Sequence, residues 1–478
     1  MMRTANEYRA SLRDGRTVYF NGERIPDVTS HPVLRVAVDH AALDYEMAED
    51  DRYRRLAVAP RPGGGEMSRF FVLPASADDL LARMALIETG TQLGGTVPPL
   101  IKEIGTDALF ALHLVADEVD RERGTRYGDR VQAFFAHCRD EDLAMAVAQT
   151  DVKGDRGAGP TGQAHPDYYL RIVEERADGI VVRGAKAHTS VSMNANEMIV
   201  LPTRALGERD GAYAVAFAIP VATPGLRLIV SPYGGQATST FERPLSSRHR
   251  MMESLTVFDD VVVPRERVFL QGEWEYAGPL ARTFVEYHRF TAVSYKLPLV
   301  DLLVGAAQLI AEYNGIDRAA HVRDKITWLA AYAQTLRSLV RMAAYDCARR
   351  ARGLAVPDPA TVNIAKLYFA SQFHTAVAYV QEIAGGLLVT SPGEADWRSP
   401  ETRPFLERYL GGKGVGADAR LRLLHLITDV TTAELGGYHA VLAIHAEGSI
   451  EAEKMTIHRT APLARCVALA KELAGISE

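Results

Sequence analysis

The spacing of apolar residues changes twice along this chain, and the two changes limit the folds open to it. Over about 32–147 apolar residues recur at three- and four-residue intervals, as in Asp79-Leu80-Leu81-Ala82-Arg83-Met84-Ala85-Leu86-Ile87 and Val131-Gln132-Ala133-Phe134-Phe135, which predicts helices. Over about 150–270 the pattern becomes short alternating runs at 168–175, 180–183, 198–202, 213–220, 226–230 and 255–263, which predicts strands. Asp178-Gly179, between the first two runs, reads as a hairpin turn. The helical period then returns in segments 287–313, 318–352 and 360–388, long enough for a bundle. Asn314-Gly315, Gly411-Gly412 and Gly436-Gly437 are the expected turns. The fold class is therefore α+β: a helical domain over 1–148, a central β domain over 149–275 and a C-terminal helical bundle over 276–478.

Composition narrows the function. Of 478 residues 47% are hydrophobic and 24% charged, with a net charge of −6, so the chain buries a large core and offers no basic cluster for nucleic acid. Residues 1–17 mix Arg, Asp and Glu without an apolar segment, so no secretory signal is expected. The apolar stretch 297–310 is broken by Asp301 and Gln308 and is too short for a bilayer span. A cytoplasmic protein without a membrane partner is the expectation. Cys138, Cys347 and Cys466 lie far apart with no Cys-x-x-Cys pairing, which argues against a disulfide framework or a cysteine-rich metal site.

Two constellations carry chemistry. In the first, 150–163 offers hydroxyl, carboxylate, ammonium and guanidinium groups with several glycine amides, a set that can bind a polar heterocycle and a diphosphate. Lys186 and His188, two apart on a predicted strand, are expected on one face, with Thr189 beside them. In the second, His288, Tyr295 and Lys296 are spaced by seven and eight residues, which places them on one helical face where they can converge on a cavity. Alone, a helical His is most simply a satisfied core residue and a Lys a snorkelling one.

Thr150-Asp151-Val152-Lys153-Gly154-Asp155-Arg156, Gly179-Ile180-Val181-Val182-Arg183-Gly184-Ala185-Lys186-Ala187-His188, Ile383-Ala384-Gly385-Gly386 with Thr390, and Gly448-Ser449 with Ala452-Glu453-Lys454 resemble the 4-hydroxyphenylacetate 3-hydroxylase / 4-hydroxybutyryl-CoA dehydratase superfamily. The resemblance covers nearly the whole chain. It implies an acyl-CoA-dehydrogenase-like fold, FAD at the junction of the β and helical domains, and a homotetramer. It implies FAD contacts from Thr150, Asp151, Lys153, Asp155, Arg156, Gln163, Lys186, His188 and Thr189 of the β domain. From the helical domain it implies Arg323, Gly385, Gly386, Thr390, Gly448 and Ser449. In the dehydratase branch the residue matching His288 is a cluster ligand and base, and the position matching Tyr295 is a cysteine ligand. A tyrosine does not replace that thiolate. The other two cluster cysteines belong in 96–106, which has none, so neither an iron-sulfur cluster nor another metal is expected. Glu253 and Glu453 match dehydratase positions associated with proton transfer. The hydroxylase branch's phenol-binding Arg and Tyr, near Gly94 to Pro99, and its His, near Val147, are also missing, so 4-hydroxyphenylacetate is not the expected substrate.

The expected activity is a two-component monooxygenase: FADH2 from a separate flavin reductase activates oxygen, and His288 acts as base on a phenolic or other electron-rich molecule in a dry pocket. No Gly-x-Gly-x-x-Gly after a strand supplies a nicotinamide site, which is why the reductase is separate. The alternative is a cluster-free, FAD-dependent acyl-CoA isomerase or dehydratase-like enzyme in which His288 and Glu253 or Glu453 move protons. The lost Lewis-acidic iron weighs against dehydration. A third reading is a catalytically silent flavin fold that binds a ligand or partner. The residues leave open whether the substrate is free, CoA-linked or carrier-linked.

Overall fold

The computed structural model describes residues 2–233 and 237–476. Two sheets form its middle. The larger has six strands in the order Glu23–Ile25, Val18–Phe20, Leu226–Val230, Glu253–Pro264, Gly179–Ser190, Arg171–Arg176. The smaller has four, in the order Val268–Gln271, Val215–Pro220, Glu197–Val200, Met145–Ala148. Their facing sides are apolar and share one core, in which Phe217 of the smaller sheet meets Phe258 of the larger with ring centroids 6.0 Å apart. The expected hairpin is present, with Arg176 pairing Gly179. The strands Val18–Phe20 and Glu23–Ile25 come from the region read as helical, and the first pairs in parallel with Leu226–Val230. Three residues are too few for alternation to register in a sequence.

Bulges in the central pair of strands decide which side chains face inward. Phe258 pairs Gly184 and Val261 pairs Val182, so Asp259 and Asp260 together oppose Arg183. The extra residue resets the alternation and keeps Val261 and Val263 buried. A second bulge lies where Ser254 pairs Thr189 and Thr256 pairs Lys186, leaving Ala187 and His188 opposite Leu255. Lys186 and Thr189 are consequently both buried while His188 is exposed. The expectation that Lys186 and His188 share a face is thus corrected: one inserted residue shifts the period between them.

The C-terminal region packs Trp274–Asn314, Ala320–Tyr345 and Pro359–Ala384 around Leu303, Ile310, Leu336, Phe369 and Phe373. The first of these helices runs 41 residues through Pro279 and Pro298. It is long and apolar enough to cross a membrane, but 61% of its most apolar window is buried, so packing accounts for its composition. The segment read as one helix over 318–352 stops at Tyr345, and Ala348–Arg349 turns back to pair Ala355–Val356. Gly436-Gly437, expected as a turn, lies inside the helix Glu434–His445, where a side chain on Gly436 would meet the Thr431 backbone at 2.4 Å.

Glu103–Arg123 joins the two halves. One side packs on the long helix, with Phe110 and Tyr287 ring centroids 5.4 Å apart, and the other lies against Met145 of the smaller sheet. A Cβ at Gly105 would sit 2.3 Å from Met145 Cβ, so only glycine lets helix and strand approach this closely. Gly105→Ala should therefore lower the thermal unfolding midpoint by at least about 2 °C, as expected for overpacking worth roughly 1–3 kcal/mol. An unchanged midpoint in differential scanning calorimetry would show that the contact is slack.

Candidate active site

The long helix delivers two cations and a phenol to one buried glutamate, and the helix Pro359–Ala384 adds a third cation. Lys296 Nζ lies 2.8 Å from Glu447 Oε2, and the Tyr295 hydroxyl donates to Glu447 Oε1. Arg289 Nε donates to the Glu447 carbonyl at 3.0 Å. Lys366, from Pro359–Ala384, places Nζ 3.8 Å from Glu447 Oε2 and 3.5 Å from Glu453 Oε1, and donates to the Ala443 carbonyl at 3.0 Å. The Glu447 side chain is 1% exposed and its backbone holds a φ of 57°, a left-handed conformation that the surrounding contacts must enforce.

Charge balance explains the protonation states. Burial alone would raise the Glu447 carboxyl, but Lys296 and Lys366 outweigh it and draw the group down to about 2. Burial lowers Lys296 to about 8, the attraction of Glu447 being offset partly by the like charge of Lys366. Glu453 is fully buried, neither of its oxygens has a hydrogen-bond partner, and burial raises its carboxyl despite Lys366. Burial, reinforced by Glu447, holds Tyr295 far above its ordinary value, so it is a neutral phenol.

His288 is held separately from this cluster. Its Nδ1 lies 3.1 Å from Asp107 Oδ2, and its ring stacks on Phe284 at 5.2 Å. Asp107 is in turn fixed by Arg83 Nη2 at 2.7 Å and by the Thr291 hydroxyl at 3.0 Å. With Nδ1–H given to Asp107, the lone pair of the ring is on Nε2. The expected convergence of three residues is therefore partial: Tyr295 and Lys296 meet at Glu447, whereas His288 turns to Asp107.

A cavity of about 30 Å³ opens beside Tyr295 and Lys296, walled by Val97, Pro98, Met251, Leu299, Phe369 and Leu442 and closed by Thr96, Tyr438 and His439. The Tyr438 hydroxyl donates to Glu253 Oε1 at 2.8 Å, and Ser190 Oγ donates to the same oxygen at 3.0 Å. Glu253 Oε2 is buried without a partner, and burial raises this carboxyl despite both donors. One hydrogen-bonded chain thus links the cavity to the end of strand Gly179–Ser190, where Thr189 and His188 lie.

The residues expected at a flavin divide into two groups. Asp151 and Lys186 are spent on each other, Nζ to Oδ1 at 2.8 Å, with the Gln149 and Leu201 carbonyls accepting from the same ammonium at 2.8 and 3.1 Å. Thr150 offers its carbonyl to Ala187 N at 2.9 Å, and Gln163 pins the exposed loop through Asp155 N at 2.9 Å. These groups shape the wall. Others remain open: the Thr189 hydroxyl is fully buried without a partner, and among the described residues neither half-buried Lys153 nor exposed Arg156 forms a salt bridge. An orphan hydroxyl with two cations outside any salt bridge, beside a glycine-containing loop, fits the polar edge and diphosphate of FAD. Arg323 and Thr390 on the C-terminal helices, and Gly385 and Gly386 in the break between two of them, are exposed and do not line this cavity. Ser449 caps the helix Ile450–Thr460, and Gly448 lies against Arg289. Among the described residues no three His, Cys, Asp or Glu side chains converge as a metal site requires.

Sequence reasoning missed Glu447, Lys366, Asp107, Tyr438 and His439. Glu447 directly precedes Gly448-Ser449, and a carboxylate ahead of a small-residue turn was a usable signal. The others sit singly on helical faces and carry none.

The model for the 4-hydroxyphenylacetate 3-hydroxylase N terminal matches residues 4–270, and that for the C terminal matches residues 277–475. The chain is 33% identical over 494 residues to 4-hydroxybutyryl-CoA dehydratase/vinylacetyl-CoA-Delta-isomerase of Clostridium aminobutyricum, covering 100% of each. It is 30% identical over 443 residues to the 4-hydroxyphenylacetate 3-monooxygenase oxygenase component of Thermus thermophilus, covering 91% of this chain and 90% of that one. The crystal structure of an oxygenase component of 4-hydroxyphenylacetate 3-monooxygenase complexed with FAD matches at a TM-score of 0.91 and 28% identity, over 100% of both chains. Butyryl-CoA dehydrogenase of Megasphaera elsdenii, at a TM-score of 0.51 and 16% identity over 88% of this chain and 97% of that one, shares the fold alone. With both halves matched and its fold acyl-CoA-dehydrogenase-like, the chain belongs to the 4-hydroxyphenylacetate 3-hydroxylase family.

Proposed function

We propose that this protein is the oxygenase component of a two-component flavin monooxygenase that hydroxylates a small phenol or similarly electron-rich molecule, with reduced FAD delivered by a separate flavin reductase. The observation that carries the reading is the fate of Tyr295. Where the dehydratase branch places a cluster cysteine, a phenol is held neutral by burial and by Glu447 and helps to close an apolar cavity. Neither that phenol nor Cys138, Cys347 or Cys466, none of which lines the cavity, offers a thiolate there.

FAD, when bound by Thr189, Lys153 and Arg156, supplies the activation of oxygen. The chain's own groups do the rest. His288, oriented by Asp107, lies outside the cavity lining and is the base assigned to the phenol proton, which its Nε2 would accept, so increasing the electron density of the ring. The Lys296 ammonium, balanced by Glu447, holds the cavity wall in its ion-paired form. Met251, Leu299, Phe369 and Leu442 keep water from the reacting atoms. Tyr438, Glu253 and Ser190 tie the cavity wall to the strand end beneath the expected flavin.

One observation favours a second reading. Glu253 and Glu453 are buried carboxyls raised by desolvation, each with an unpartnered oxygen, as proton carriers in an acyl-CoA isomerase would be. The two reactions differ in their need for oxygen. Purified protein with FAD and a flavin reductase should convert monocyclic phenols to hydroxylated products in air, and should not isomerise vinylacetyl-CoA under argon. Anaerobic isomerisation without phenol hydroxylation would replace the first reading by the second.

Two further outcomes follow from the site. His288→Ala should reduce turnover by at least about 100-fold while leaving FAD affinity nearly unchanged; unaltered turnover would return His288 to a packing role. Because Lys296 titrates near 8, its ammonium is present below that pH and lost above it. The kcat/KM profile should therefore fall as pH rises through about 8, and Lys296→Met should remove that limb. A limb that survives the substitution belongs to another group.

A further inference from the structure

Nearly every polar side chain on the cavity wall is committed elsewhere. Tyr295 gives its hydroxyl to Glu447, Tyr438 gives its own to Glu253, and Lys296 is paired with Glu447. The exception lies at one end. Thr96 Oγ1 and His439 Nε2 stand 3.4 Å apart, at the outer limit of a hydrogen bond, and both residues are buried. Thr96 holds a φ of 77°, which a β-branched residue rarely adopts. Its loop is braced by His40, whose Nε2 donates to the Pro98 carbonyl at 3.1 Å. Burial and the Lys296 ammonium bring His439 down to about 4, so near neutral pH its imidazole offers one donor and one acceptor.

We infer that Thr96 and His439 recognise a substrate hydroxyl, and that the group entering this cavity is a small uncharged phenol rather than an aryl carboxylate. The inference rests on the monooxygenase reading and narrows its substrate. A hydroxyl placed between the two side chains exchanges one long contact for two good ones. A carboxylate would meet no free cation, because Glu447 at 2.8 Å already neutralises Lys296, the one charged residue on the wall among the described residues, and would itself lie close to that buried anion. Size points the same way: about 30 Å³ holds a water or two, and a ring enters only as flexible walls such as Met251 yield.

Calorimetric titration of the FAD-loaded full chain with phenol, benzene and 4-hydroxyphenylacetate tests this without turnover. Phenol should bind at least about tenfold more tightly than either of the others. Thr96→Val and His439→Phe should each weaken phenol by about three- to tenfold while leaving benzene nearly unchanged, the benzene titration reporting that the variant has folded. Equal binding of phenol and benzene, tighter binding of 4-hydroxyphenylacetate, or no binding of phenol by the native chain would each overturn the inference. Should the preference appear without any hydroxylation, the reaction assigned above fails and the recognition pair stands. Hydroxylation without the preference is the reverse case.

Discussion

The buried pair of Lys296 and Glu447 is the interaction on which the active-site region depends. Two charges removed from water lose several kcal/mol of hydration each, and only close mutual contact with further hydrogen bonds offsets that loss. Tyr295, Lys366 and Arg289 supply those bonds and charges, so three segments of chain meet at one carboxylate. The left-handed backbone of Glu447 is the local consequence. The cavity wall at Tyr295 and Lys296 inherits its shape from this arrangement.

The same constraint separates roles that one helix could otherwise have merged. His288 precedes Lys296 by eight residues, yet it is satisfied by Asp107 from Glu103–Arg123 rather than by Glu447. A base oriented by one carboxylate and a cation balanced by another can therefore act at different protonation states. Glu253, raised by burial despite the Tyr438 and Ser190 donors, adds a carboxyl between the cavity and the strand end.

The order of helix, sheet and helix was legible because periodicity is a local property, and the strand Leu226–Val230 falls where alternation placed it. What escaped was decided by partners distant in sequence. The bulge that parts Lys186 from His188 exists only against Leu255 on the neighbouring strand. Nothing in the sequence shows that Asp151 and Lys186 close on each other. Lys366 and Tyr438 read as ordinary helical residues, since their meaning comes from carboxylates 81 and 185 positions away in Glu447 and Glu253.

We propose that the flavin frame serves oxygen transfer around a cavity without cluster ligands. Turnover under labelled dioxygen in ordinary water tests it most directly, read by mass spectrometry of the product. Each new hydroxyl should carry one oxygen atom from the gas. Product whose new oxygen comes from water, or product formed equally well without oxygen, would contradict it.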